Sequence, residues 1–439
     1  MEQPREPPEQ SAPRARELVR TCALAAIAGS LVGFVGGAFR WCLQVADTMR
    51  HHVLAVADDL PGPGWFVPLA FTALGAALAA LIVRPVPLAA GSGIQHVEAV
   101  QRGEAAPPSI AVVPARFVGG ILGIGSGLVL GREGPIVHMG ATIGAETARR
   151  AHADDTHVRE LHTAVSGAGL AVAFNAPIGG ALFVFEEITR TVRFRTAVPV
   201  LVSVATGVGC ARLILGDRPD FTVPTVAPPS LALLPVFVTF GVLTGVLGAG
   251  YNRAVTGALV AADAVRSLPP VAKAATIGAA VGLLSAFAPL STGGGDAVAQ
   301  HLIGGGTLAL PAVAGYVLLR FATGPLSYAA GTPGGLFAPL LALGSLWGVL
   351  CAGAAAALVP GVDASITVPM ALVGMAALFG ATVRAPLTGI VLVVEMTATT
   401  GVTVPMLAAT AAAMVVAHLC GAPPIYDSLR KRMLARPPE

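Results

Sequence analysis

Gly131-Arg132-Glu133-Gly134-Pro135 is the stretch that decides how this chain reads. It sets a carboxylate at the start of an apolar helical run, in a chain that carries almost no charge between its hydrophobic segments. Two glycines and a proline around the first turn leave backbone N–H groups unpaired and pointing outward, which is the geometry of an anion site. A glutamate placed there can fill the site itself. Left unpaired in hydrocarbon, an ionisable side chain costs on the order of several kcal/mol, so one found there is a functional candidate by default. Glu133 therefore reads as a gate that competes with a permeating anion. The plainer alternative is a carboxylate that neutralises a helix N-terminus.

Around this stretch, uncharged runs long enough to cross a bilayer as a helix, roughly 17 to 25 residues, recur along the chain. They are Thr21 to Phe39, Trp65 to Val83, Thr163 to Phe185, Phe221 to Asn252, Ala274 to Gly295, Phe321 to Val362, Ala364 to Val383 and Met396 to Ala417. Of 439 residues, 54% are hydrophobic and 12% charged, about half the charged share of a soluble domain. The class is an all-α polytopic membrane protein set in a lipid bilayer. Several runs are too long for one span and are interrupted by Gly and Pro, so they read as paired or re-entrant helices. Such breaks are tolerated at membrane depth only where they line a cavity or are buried in protein.

A net charge of +3 gives no case for a nucleic-acid partner. Cys22, Cys42, Cys210, Cys351 and Cys420 stand singly, without metal-ligand spacing or a disulfide framework, and no cofactor or metal is expected. Polar residues precede the first span, with no signal-peptide core before Thr21. Arg14, Arg16 and Arg20 on one side, and Arg430, Lys431 and Arg432 on the other, place both termini in the cytoplasm.

The motifs recur in two halves. Pro135 is followed by Gly140 and Gly144, and Pro339 by Gly344 and Gly348 at the same offsets. Ala176-Pro177 leads to Gly180 and Glu186, and Ala385-Pro386 to Gly389 and Glu395 with the same spacing. Gly91-Ser92-Gly93 lies about as far before Pro135 as Gly293-Gly294-Gly295 lies before Pro339. The expected division is 1–17 as a disordered cytoplasmic tail, 18–216 as the first transmembrane repeat and 217–230 as a Pro-rich linker. Residues 231–421 form the second repeat, and 422–439 a C-terminal segment with Tyr426 and a cytoplasmic tail. Interrupted apolar segments at corresponding places in two halves point to a transport site near the midplane. Aligning the prolines sets Glu133 opposite Phe337, so one half offers a titratable carboxylate and the other an apolar side chain over free backbone.

Three glycine-punctuated segments each lead into a helical run: Gly91-Ser92-Gly93-Ile94, the Glu133 pentapeptide, and Gly334-Gly335-Leu336-Phe337-Ala338-Pro339. If their N-termini converge, partial positive charge and N–H donors surround one point without a full charge. An anion would be held weakly enough to leave, as conduction requires. Singly, each cluster also reads as a close helix-packing contact. An intramembrane protease would need a serine activated by histidine, or two aspartates, at membrane depth, and no such pair has a fitting context.

These three segments, in this order and with Tyr426 near the C-terminus, resemble the CLC family of chloride channels and chloride/proton antiporters, of the bacterial type without cytoplasmic regulatory domains. The resemblance spans nearly the whole chain. It implies two inverted-topology repeats of tilted and re-entrant helices, and a homodimer in which each subunit has its own anion pathway. It also implies roles. Ser92 and Tyr426 would offer hydroxyls to a central chloride, and the backbone N–H groups of Leu336 and Phe337 would complete that site. The N–H groups around Glu133 and Ala338 would form an outer one. Glu133 would be the external gate and Glu187 the internal proton-transfer residue. From the residues alone, Ser92 also reads as a helix N-cap, Tyr426 as an interfacial anchor, and Glu186-Glu187 as a solvated helix end. Adjacent helical residues do not share a face, so one acid of that pair is expected to look inward.

Arg116 matches a basic position of the family; a pairing with Glu98 is one reading of the two, and separate interfacial charges the other. His138, five residues after Glu133, is expected to face neighbouring helices, and the remaining histidines read as isolated. Many relatives carry proline where this chain has Gln95, which adds an N–H donor and an amide at that helix start. The resulting expectation is a secondary active transporter exchanging chloride for protons. A passive, voltage- or pH-gated chloride channel of the same family is the alternative, and an intramembrane enzyme the remote one.

Overall fold

The computed structural model describes residues 8–225 and 227–435, with side chains from residue 16 onward. Among these residues the chain is helical throughout, with two isolated backbone bridges. The first half comprises α1 (Pro8–Asp59), α2 (Phe66–Val83), α3 (Ile94–Gln101), α4 (Val112–Gly125), α5 (Glu133–Arg150), α6 (Asp155–Phe174), α7 (Pro177–Phe183) and α8 (Phe194–Leu215). The second comprises α9 (Leu234–Ala264), α10 (Pro270–Phe287), α11 (Asp296–Ile303), α12 (Leu310–Tyr328), α13 (Phe337–Leu358), α14 (Thr367–Val383), α15 (Pro386–Thr397) and α16 (Thr403–Leu419). A last helix, α17 (Ile425–Leu434), follows. Of the tail expected to be disordered, residues 1–7 lie outside the described residues, as do 436–439, whereas residues 8–17 are helical and continue α1.

The halves share one packing scheme. Helix α1 lies along α8 as α9 lies along α16, and α5 along α6 as α13 along α14. The halves meet most extensively through α2 on α10 and α7 on α15. The glycines found at matched offsets explain the α5/α6 and α13/α14 contacts. A Cβ at Gly144 would overlap the Leu161 carbonyl, and one at Gly348 the Met370 carbonyl. Bare backbone thus meets backbone, the means by which membrane helices approach closely.

Among the described residues, seven helices are long and apolar enough to cross a membrane, and the long uncharged runs divide where the sequence breaks them. Helix α6 ends at Asn175 in the left-handed region (φ 49°), and Pro177 starts α7; in the other half Arg384 (φ 74°) and Pro386 do the same. The run Phe321 to Val362 splits at the glycine loop between α12 and α13. Both described ends of the chain lie on one face. Arg20 donates to the Ala151 carbonyl beyond the end of α5, Arg149 of α5 donates to the carbonyls of Pro107 and Pro108 just past α3, and α17 packs on α3.

Candidate functional site

The three glycine loops converge at the centre of the molecule. Gly131 and Gly335 exchange both backbone hydrogen bonds, at 2.9 and 2.8 Å, while Gly91 donates to Thr332 and accepts from Gly334. The starts of α3, α5 and α13 are thereby stitched into one cluster of backbone donors.

Glu133, fully buried, turns its carboxylate across this cluster, and Oε1 accepts from the Phe337 N–H at 2.7 Å. The amides of Glu133 and Ala338 face the same carboxylate, and Oε2 has no hydrogen-bond partner. The two flanking glycines are required by space, since a Cβ at Gly131 or at Gly335 would overlap the carboxylate oxygens. The Glu133 carboxylate thus takes a donor that the sequence reading assigns to the central anion. Phe337 itself is held edge-on by Phe379, Phe183 and Tyr426, at centroid distances of 4.6, 6.0 and 5.6 Å, and stacks on Phe174.

On the other side of the cluster, Ser92 and Tyr426 are fully buried. Their hydroxyls face one another, and neither closes a hydrogen bond of normal geometry. The N-cap reading of Ser92 is corrected: the cap of α3 is Gly93, in the left-handed region, with no side-chain cap bond. Serine is left with an unpaired hydroxyl because the tight loop turns on glycine conformations at both of its neighbours. The anchor reading of Tyr426 also falls, since its ring is inside the protein and not at an interface.

Arg116 does not pair with Glu98. Its Nη1 donates to the carbonyls of Gly91 and Ser92, and its Nη2 to those of Leu88 and Ala90, all at 2.9–3.2 Å. The loop's carbonyls point back at one buried guanidinium, while the Gly91 N–H donates to Thr332 and the Ser92 N–H to the Tyr328 hydroxyl. Arg320 repeats the arrangement in the second half on the carbonyls of Leu290, Thr292 and Gly293.

Glu186 and Glu187 part as helix geometry demands, on a π turn at Val184–Ile188. Glu187 is buried and meets the carboxyl of Glu98. Glu186 reaches across to α15, where it accepts from the N–H groups of Leu387 and Thr388 and from the Thr388 hydroxyl. Glu395 returns the contact by accepting from Ile178 and Gly179 at the start of α7. The identical Ala-Pro-to-Glu spacing in the two halves therefore marks a reciprocal cap.

Some partners are invisible in local spacing. His138 faces neighbouring helices as expected, but its Nε2 lies 3.0 Å from Nδ1 of His96, and the His162 ring is 6.5 Å from that of His96. These histidines, isolated in sequence, form one buried group. Cavities approach the site from two sides. One of about 410 Å³ is lined by Arg40, Gly131, Arg132, Asp220, Asp296 and Ala338. Within it Arg132 pairs with Asp220 and Asp296, and Arg40 pairs with the same Asp220, which fixes the linker between the halves. From the opposite side, one cavity of about 530 Å³ reaches Glu187 and another of about 300 Å³ reaches Gly91, Gly93 and Gln95.

The profile of the family described as voltage gated chloride channel matches residues 74–418. The chain is 36% identical over 425 residues to the H(+)/Cl(-) exchange transporter ClcA of Vibrio parahaemolyticus, covering 94% of this chain and 89% of the relative. To the protein of the same name from Cronobacter sakazakii it is 33% identical over 422 residues, covering 94% and 90%. Among solved structures it is similar to a slow cyanobacterial Cl-/H+ antiporter, with a TM-score of 0.89 and 31% identity over 95% of this chain and 98% of the other. A CLC-type fluoride/proton antiporter, 20% identical with a TM-score of 0.76 over 93% of this chain and 97% of that one, has the same fold.

Proposed function

This chain belongs to the voltage-gated chloride channel (CLC) family and exchanges chloride for protons; from that premise we propose that the Glu133 carboxylate is the element the two paths share. The observation that carries this reading is its 2.7 Å bond to the Phe337 N–H. An ionised carboxylate and a chloride ion want the same donors, and only one can have them. Protonation removes the charge that holds the side chain there. A neutral carboxyl yields the donors of Phe337 and Ala338 to chloride and turns toward the Arg132 cavity, where it releases its proton. When the chloride leaves, the carboxylate returns.

Chloride moves between the 300 Å³ cavity and the centre past Ser92 and Tyr426, whose unpaired hydroxyls and the Leu336 and Phe337 amides replace its water. Protons take the separate cavity at Glu187 and cross to Glu133 through water. Two cavities on one side and one on the other suit paths that share only their outer limb. The side bearing both chain ends is cytoplasmic, in keeping with Arg16, Arg20, Arg430, Lys431 and Arg432 beside it. The protein works in the bilayer as a homodimer of independently conducting subunits and performs no covalent catalysis.

Reconstitution in liposomes under a chloride gradient, with external pH recorded, tests this. Wild type is expected to drive protons uphill, while Glu133→Ala and Glu187→Ala carry chloride without protons. Proton movement that persists in both variants would remove these roles. Chloride flux without any proton movement in wild type would make the protein a passive channel.

A further inference from the structure

The acids on the proton path do not stand alone. Helix α17 carries Tyr426 and, one turn on and on the same face, Arg430. The guanidinium of Arg430, nearly buried, has Nε 3.6 Å from Glu98 Oε2, while Nη1 bonds Glu104 and Nη2 lies 3.3 Å from Asp427. Glu98 in turn meets Glu187. Arg190 and Arg102 approach Asp427 at 3.2 and 3.6 Å. The groups facing one another here are thus the acids Glu98, Glu187, Glu104 and Asp427 and the bases Arg102, Arg190 and Arg430, drawn from α3 and the loop after it, the π turn and the loop that follows it, and α17. Four acids against three arginines balance when the Glu98–Glu187 pair holds one proton. A second proton on that pair leaves the cluster with an excess positive charge and Arg430 without an ionised partner at Glu98.

We propose that Arg430 is a positioning residue that ties the proton load of the Glu98–Glu187 pair to the place of Tyr426 beside the anion. With one proton on the pair, Arg430 holds α17 against α3, and Tyr426 stands opposite Ser92. With two, the contact to Glu98 is lost, and α17 keeps the contacts nearer the surface: Arg430 to Glu104, Arg102 and Arg190 to Asp427, and Arg432 to Asp263 and the Leu259 carbonyl. Tyr426 then relaxes away from Ser92, and the inward chloride path opens. Arrival of the proton thereby prepares the release of the anion, a link on the inner side that does not pass through Glu133. This rests on the roles proposed for Glu187 and Tyr426.

The test uses the full chain in liposomes and reads chloride turnover against the pH on the cytoplasmic side, together with the proton-to-chloride ratio. Wild type, Arg430→Gln, Arg430→Lys, Glu98→Gln and Arg253→Gln are compared. Arg253 donates to the Cys420 carbonyl just ahead of α17 and touches none of the acids, so it anchors the same segment without the charge link. In Arg430→Gln the pH dependence is expected to flatten by about fivefold, the low end of couplings between linked sites, with a lower proton-to-chloride ratio. Lysine should restore part of it, and Arg253→Gln should keep the wild-type profile at whatever turnover it has. Glu98→Gln keeps Arg430 and its surface partners but removes the titrating one, and should flatten the profile likewise. A wild-type profile and ratio in either Arg430→Gln or Glu98→Gln would make Arg430 a plain clamp and overturn the inference, with the exchange reading intact. A wild type that moves no protons would sink both.

Discussion

At the start of α5 the chain sets Glu133 two residues ahead of Pro135, and at the start of α13 it sets Phe337 two residues ahead of Pro339. Both termini follow glycine loops, both lie against the next helix through bare glycines, and the loops pair with each other through Gly131 and Gly335. The scaffold is shared, and the chemistry sits on one side of it. In the proposed cycle Glu133 leaves the donors and returns, whereas Phe337 is wedged among four aromatic rings and offers only its backbone. A gate needs one movable partner and one fixed partner, and the proposed gate takes one from each half.

The sharpest way to break this division is to crowd the movable side. Gly335→Ala places a methyl on the Glu133 carboxylate and forfeits a charge-assisted bond worth about 1.5–3 kcal/mol. Chloride flux at neutral pH should then rise by about tenfold or more, the equivalent of that energy, with protons left behind. A liposome flux assay reads this, and unchanged coupling would mean that the carboxylate is not held where the structure has it. The shared scaffold is tested by Gly144→Leu and Gly348→Leu, each of which forces a side chain into the facing backbone. Each should cost about 1–3 kcal/mol, seen as lower melting temperatures in detergent. A large loss in one and none in the other would show that the halves are not equivalent.

The reciprocal caps allow a finer comparison. Glu186→Gln and Glu395→Gln should each weaken a helix start by about 0.5–2 kcal/mol, and melt to similar degrees. Proton transport should suffer more in Glu186→Gln, whose neighbour is Glu187; equal loss in both would assign the placing of Glu187 to α7 as a whole. The smallest effect belongs to Asp427 on α17. Burial pushes its carboxyl up, but Arg190, Arg430 and Arg102 outweigh that and hold it below the usual aspartate range. A carboxyl lowered in the folded state adds stability above its unfolded value of about 3.9 and loses it as pH falls through the folded value. Wild type should therefore shed a little stability in that acid window, and Asp427→Asn should shed less, as thermal melts at stepped pH would record.

What could be read from the chain and what could not divide along the same line. Glu133, Ser92, Tyr426 and the glycine loops stand in local patterns, and the matched Pro-Gly and Ala-Pro offsets carried the two-half architecture. Contacts formed by folding one half against the other left no such trace. Nearness to the Ser92 segment offers Glu98 as one partner for Arg116, yet Arg116 bonds four carbonyls and Glu98 meets Glu187 and Arg430 from distant helices. The loop needed a cation behind its carbonyls more than the acid needed a partner, which spacing does not reveal. The histidines of α3, α5 and α6 escaped for the same reason. The Ser92 cap failed because a side chain next to left-handed glycines need not point along the helix it precedes.

The crossed caps of α7 and α15 also bear on how the chain is made. Glu395 follows Ile178 by 217 positions, so the first turn of α7 leaves the ribosome incomplete and stays so until nearly all of the second half has been synthesised. The order of translation then enforces a rule on assembly: the first half can enter the bilayer early, but it cannot finish at its own centre. Cutting the chain within residues 217–230 and expressing the two pieces together would yield halves that complete each other, and either piece alone would be left with an open helix start facing hydrocarbon.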